Sequence, residues 1–155
     1  MNIKLFPLLF LALALHSCNE KKIYHELDKD FPENRWQKSV TKNFEFSIEQ
    51  EARNYDVEVH FAYFSDYVVN PVPLLVTITH PDQSQEKKEI NITVKDNEGK
   101  EIGDCGGDYC DIRKTLFKDE ALKKGVYKVA IVPNFSGAYL PNINGIGIEV
   151  TAQAD

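Results

Sequence analysis

The chain has 155 residues, 43% of them hydrophobic and 27% charged, with a formal charge of −6 at neutral pH. That size suits one domain with a buried core. The acidic balance, with no basic stripe to hold a phosphate backbone, counts against nucleic acid as a partner and otherwise serves solubility.

Residues 1–17 read as a leader. Lys4 is the only charge, residues 5–15 form a short apolar run, and small Ser17 precedes Cys18. This is the pattern of a bacterial lipoprotein signal peptide cut before the cysteine that receives lipid, although His16 is unusual at its position. The apolar run is too short for a span, which needs about 20 residues to cross the hydrocarbon core. Removing 17 of 155 residues leaves 138, and because Lys4 departs, 17 basic side chains face 24 acidic ones. Cys18 is expected to be diacylated or triacylated with palmitate-like chains, since several chains anchor where one binds marginally.

Residues 18–41 are charged and irregular, interrupted by Pro32, Glu33 and Asn34, and read as a tether. Its apolar residues Ile23, Tyr24, Leu27, Phe31 and Trp36 are too many for a disordered linker, so part of it is expected to dock. Trp36 reads first as a core plug and otherwise as a platform for a partner.

From residue 42 to 155 the apolar period is two. Phe44, Phe46 and Ile48 alternate with polar neighbours, as do Val57, Val59, Phe61 and Tyr63. His60 falls on the polar phase of that second strand and is expected to face solvent. Val76 and Ile78 continue the pattern, followed by Ile90, Ile92 and Val94 up to a turn at Asp96, Asn97, Glu98 and Gly99. Tyr127, Val129 and Ile131, then Ile146, Ile148 and Val150, supply the last strands. Only residues 118–124, KDEALKK, have helical composition, enough for about two turns. Strands with one apolar face each must bury those faces together, which predicts an all-β domain, an antiparallel β-sandwich of jelly-roll or immunoglobulin-like type.

With Cys18 assigned to lipid, Cys105 and Cys110 remain as a pair in an oxidising compartment, and a local disulfide across Gly106, Gly107, Asp108 and Tyr109 is expected. Closing so small a loop stabilises the fold by roughly 2 kcal/mol. His25, His60 and His80 are scattered singly, without metal-site spacing. Residues 96–111 carry six carboxylates and four glycines. Asp104, Asp108 and Asp111 are oxygen donors of the kind calcium prefers, but their spacing is not that of an EF-hand, and a solvated acidic loop is the favoured reading. No cofactor is expected. Nucleophile elbow, phosphate loop, dinucleotide fingerprint, zinc-protease and kinase signatures are all missing, so no catalytic residue is assigned and the chain is read as a non-enzyme.

The second concentration is aromatic: Phe61, Tyr63, Phe64 and Tyr67, leading into Pro71 and Pro73. Most of these residues fill a core in the plainest reading. In the functional reading, Tyr67 and Phe64, with Trp36 nearby, form a partner-binding loop held extended by the prolines.

Three stretches carry a resemblance. They are residues 18–31 (CNEKKIYHELDKDF) with Trp36 and the strand at 40–48, residues 94–103 (VKDNEGKEIG), and residues 140–150 (LPNINGIGIEV). Together they resemble the gliding-motility lipoprotein GldH family of Bacteroidetes over nearly the whole mature chain. Two departures stand out: Val69 to Leu74 where the family usually has Tyr-Pro before an apolar strand, and Asn142-Ile143 where it usually has Gly-Ile. The resemblance implies a lipoprotein held by its lipid in the envelope, on the outer membrane facing the periplasm, serving a gliding and secretion machine with other envelope proteins as partners. It brings no catalytic residues. The alternative from a different class is a carbohydrate-binding or glycan-handling lipoprotein, with Tyr63, Phe64, Tyr67 or Tyr109 stacking on sugar.

Overall fold

The structure, a computed structural model, describes residues 21–51 and 53–153. The expected leader and the expected lipidation at Cys18 lie outside the described residues. Among the described residues eleven strands follow one another: β1 (Lys21–Asp28), β2 (Trp36–Gln37), β3 (Lys42–Ile48), β4 (Asn54–Phe64), β5 (Val72–Thr79), β6 (Gln85–Ile92), β7 (Asp104–Gly106), β8 (Tyr109–Ala121), β9 (Gly125–Pro133), β10 (Tyr139–Leu140) and β11 (Ile143–Ala152).

Alternation builds the strands as expected. In β3, Phe44, Phe46 and Ile48 are buried while Asn43, Glu45 and Ser47 are exposed, and β5 buries every second residue from Val72 to Ile78. The turn at 96–99 forms where its residues predict: Gly99 takes φ +81°, a left-handed conformation glycine adopts without steric penalty, and its N–H donates to the Asp96 carbonyl. The Asp96 carboxylate accepts from the N–H groups of Glu98 and Lys100, closing the turn.

All pairings are antiparallel, in sheets of order β1-β11-β4-β8-β7 and β3-β9-β5-β6, with a short β10-β2 ladder at one end. The pairs nest: β5 with β6, β4 with β8, β3 with β9, β1 with β11. The chain is therefore one long hairpin, tipped by β5 and β6 and rolled so that successive pairs alternate between sheets. That is a jelly roll, and it decides between the two sandwich types expected. Between the sheets lies one apolar core in which Val59, Phe61, Leu74, Ile131 and Ile148 are fully buried, each stabilising the fold by about 1.5–3 kcal/mol. Phe46 and Tyr127 stack within it at 5.2 Å.

Two expectations are corrected, and the docked part of the tether takes a definite form. Residues 118–121 continue β8, with Glu120 paired to Tyr55 and Ala121 to Asn54, because a sheet partner overrides weak helical propensity. Residues 21–28 of the expected tether are the edge strand β1, paired from Lys21 with Ala152 to Asp28 with Ile146. Their charge on the exposed side suits an edge, where charged side chains discourage pairing with other chains. Finally, β8 reaches back to Tyr109, so part of the expected acidic loop is strand.

Candidate functional site

Two places outside the core concentrate chemistry. One is the outer face of the five-stranded sheet. Here β4 is buried on both sides, because β11 and β8 flank it and long side chains from β1 and β8 lie across it. His60, expected to face solvent, is 6% exposed for this reason. Its Nε2–H donates to the Asp111 carboxylate at 2.6 Å, leaving Nδ1 to accept from His25 Nε2 at 3.1 Å. The two rings stack with centroids 5.4 Å apart.

They reach each other across β11, and the residue of β11 paired with His60 is Gly147. A Cβ there would lie 2.0 Å from the Glu26 carbonyl oxygen, so the close approach of β1 requires glycine. Beside the rings, Lys22 reaches Glu149 at 3.0 Å and Arg113 reaches it at 3.2 Å. Burial works to raise the Glu149 carboxyl, but these two cations outweigh it and hold the group below its ordinary value. Burial, and then neighbouring His60, push the His25 imidazole down. Farther along, Asp56 is held by the Lys118 ammonium and the Asp119 N–H, which overcome its own desolvation.

This network resembles an oriented acid–base pair only in part. Both His60 nitrogens are committed to partners, and among the described residues no serine or threonine hydroxyl and no cysteine thiol bonds to either ring. A general base needs a free lone pair within reach of a proton. What the arrangement does is tie β1, β11, β4 and β8 together across their outer surface.

The second place is the end of the sandwich where β4 finishes. Three segments are stitched there. Ser65 N–H donates to the Asp108 carbonyl, joining the loop after β4 to the β7–β8 hairpin. The Asn70 side chain accepts from Val94 and Lys95 N–H and donates to the Lys95 carbonyl. Tyr63 O–H donates to the Glu101 carboxylate at 3.0 Å, fastening residues 94–101 over the core. Cys105 and Cys110 are opposed in the β7–β8 hairpin and bonded as a disulfide, the pairing expected from sequence.

The expected partner-binding residues separate here. Tyr67 is 1% exposed, its ring packed edge-on against Phe61 and Tyr63, and its buried hydroxyl has no hydrogen-bond partner among the described residues. Trp36 is fully buried, with its indole N–H donating to the Val40 carbonyl and its ring against Phe31. Both are core plugs: the loop after β4 folds back to lay Tyr67 on Phe61 and Tyr63, and Trp36 is set inward from β2, where it pairs with Leu140 of β10. Phe64 is half-buried. What reaches solvent instead is Val68 at 74%, Ile102 at 48% and Tyr109 at 47%.

Of the four aromatics expected to stack on sugar, Tyr63 and Tyr67 are buried and Tyr109 alone is largely exposed, so no aromatic row forms. Asp104 and Asp108 are exposed in the hairpin, while Asp111 turns to His60. Among the described residues no group of three His, Cys, Asp or Glu side chains converges to hold a metal. Val68 lies within the loop expected to bind a partner without being singled out there, and neither it nor Ile102 belongs to an alternating run.

Comparison with known proteins adds one family. The model of the GldH lipoprotein family matches residues 22–150. No curated protein matches the chain significantly. Among solved structures it is similar to the ANX2 ectodomain from Arabidopsis thaliana, at 13% identity and a TM-score of 0.39, covering 77% of this chain and 30% of that one. It is similar also to dimeric latent PorU from Porphyromonas gingivalis, at 12% identity and a TM-score of 0.36, covering 90% and 14%. TmCBM61 in complex with β-1,4-galactotriose matches at 11% identity and a TM-score of 0.25, covering 88% and 87%. The chain thus spans less than a third of the first two proteins.

Proposed function

The chain belongs to the GldH lipoprotein family, whose members are envelope lipoproteins associated with gliding motility, and from that premise we propose that it is a non-enzymatic assembly subunit of an envelope complex. Its lipid on Cys18 holds it on the outer membrane facing the periplasm, and it works by protein contact. The contact surface is the end of the sandwich built from residues 65–70, 94–103 and the β7–β8 hairpin. The observation that supports this is the exposure of Val68, Ile102 and Tyr109 on three segments fastened to one another. Apolar side chains on a hydrogen-bonded, disulfide-pinned frame lose little entropy on binding, which is what an anchor residue needs. On the same segments exposed Asp66, Asp96, Glu98, Asp104 and Asp108 outnumber Lys95 and Lys100, so a partner with a basic rim is favoured.

The test is site-specific photocrosslinking in the native envelope. A photoreactive side chain at 68 or 109 is expected to capture one envelope protein that a probe at 45 or 128, on the outer face of the other sheet, does not. Val68→Asp is expected to lower recovery of that protein at least tenfold, as roughly 2 kcal/mol hot-spot losses do, with the melting temperature unchanged. Equal capture from both places, or none from 68 and 109, removes the reading.

A further inference from the structure

β1 begins at Lys21, and only Asn19 and Glu20 separate it from Cys18 in the sequence. Three Cα–Cα steps reach at most about 11 Å in any conformation. Lys21 itself sits at the extreme end of its sheet. It pairs with Ala152, Ala152 pairs with Tyr55, and Asn54 and Ala121 form the last pair of β4 with β8. All four long strands of the sheet therefore have an end in this one place, opposite the end at Phe64 and Tyr109.

We propose that this end of the jelly roll stands against the bilayer that carries its own lipid anchor, with the Val68 and Tyr109 end directed away from it. The inference rests on the lipoprotein reading and on Cys18 as the lipidated residue. The reach of the chain sets the distance: a domain whose first strand starts within about 11 Å of the lipid attachment has no slack to turn its far end to the membrane, since β4 runs roughly 30 Å from Tyr55 to Phe64 at about 3.3 Å per residue.

The surface there is of a kind that suits a headgroup layer. A groove of about 370 Å³ opens between the edge strands, lined by Ile23, Tyr24, Ser47, Gln50, Tyr55 and Ala152. Ile23 is 39% exposed, an apolar residue beside a Tyr and flanked by Lys21 and Arg53 at the rim. Tyrosine and lysine are side chains with an apolar body and a polar tip, able to lie along an interface. Glu49, Glu51 and Lys124 face the same end, and the Glu51 carboxylate accepts from Lys124 N–H. With charges of both signs present, the anchor rather than electrostatic attraction selects the orientation, and the contact is insensitive to the anionic lipid content.

The experiment uses the full lipidated chain in phosphatidylcholine vesicles with a spin-labelled headgroup quencher. A fluorophore is attached at Ile23→Cys or Lys124→Cys, or at Val68→Cys or Asp108→Cys; the disulfide leaves no other free thiol. Quenching is expected to be at least threefold stronger at 23 and 124 than at 68 and 108. A 20-residue Gly-Ser insertion between Glu20 and Lys21 is expected to abolish that contrast, because a flexible linker of that length lets the domain tumble. Equal quenching at both ends, on vesicles that bind the chain through Cys18, overturns the orientation and leaves the anchor standing. If Cys18→Ser floats with vesicles as wild type does, the anchor reading fails and the orientation fails with it.

Discussion

In the four-stranded sheet Glu45 and Lys128 face one another at 3.7 Å with 61% and 66% of their side chains exposed, whereas in the five-stranded sheet Glu149, held by Lys22 and Arg113, is only 10% exposed. Both sheets contribute one apolar face to the core, so their inner faces are alike. Their outer faces differ because β1 and β8 carry long charged side chains that lean over β11 and β4, while the neighbours of β9 and β5 present shorter or fully solvated ones. A position that alternation marks as outward is therefore exposed in one sheet and buried in the other. Charge in the first is a solvated coat; in the second it is part of the packing.

The inner faces should respond equally, and most strongly. Ile148→Ala in β11 and Ile131→Ala in β9 each remove a fully buried side chain, and each is expected to cost about 2–5 kcal/mol in denaturant unfolding. If Ile131→Ala cost under about 1 kcal/mol, the two sheets would not share one core, and the likeness would fail at its base.

Next in size is Gly147→Ala. A Cβ 2.0 Å from the Glu26 carbonyl oxygen must push β1 away, at about 1–3 kcal/mol, the usual range for overpacking. Hydrogen exchange is expected to show faster exchange confined to β1 and its partners on β11, with β9 unchanged. Uniform loss of protection would mean that β1 is no separable layer over the rest.

The outer faces should differ by the least energy but the clearest pH dependence. Glu149→Gln is expected to cost about 1–2 kcal/mol at pH 7, the low end for charge-assisted hydrogen bonds with partly exposed partners. Glu45→Gln should cost less than about 0.5 kcal/mol. Because the folded Glu149 carboxyl titrates below its ordinary value of 4.5, the unfolded chain takes up its proton first as the pH falls. Its stabilisation is complete above that pH and is lost on descent through the folded value. The fold also prefers His25 neutral, since its ring is held below the ordinary 6.5, which adds an earlier decline as pH drops under that point. Glu149→Gln should flatten the acid limb of stability below about pH 4.5, and Glu45→Gln should leave it intact. Equal slopes in both variants would erase the distinction between the faces.

How legible each region was follows the same division. Alternation in β3, β5 and β9 identified strands and inward residues because each had one drier and one wetter face, and in β11 the period of Ile146, Ile148 and Val150 marked the inward residues although its outer face is covered as well. The jelly roll was within the range predicted, and the Cys105–Cys110 bridge followed from two cysteines close in sequence. β8 was not legible: its charged run, broken by register shifts opposite Tyr55 and Val57, lacks a clean period, and its last residues look helical in isolation. Tyr67 lies in a loop and Trp36 in a two-residue strand, both too short of regular structure for any period to say which way a side chain points. Val68, Ile102 and Tyr109 became a surface only when three distant segments met.

What the residues determined unaided was local and covalent: strand periodicity, the turn at Gly99, the disulfide, and a leader pattern ending on Cys18. Tertiary structure decided the nesting of pairs, the burial of His60 and Glu149, and the placing of Val68, Ile102 and Tyr109 together at the end opposite Lys21. The reason is range. A period of two records which side of a strand is dry, but whether the other side is wet depends on neighbours supplied by strands far away in sequence.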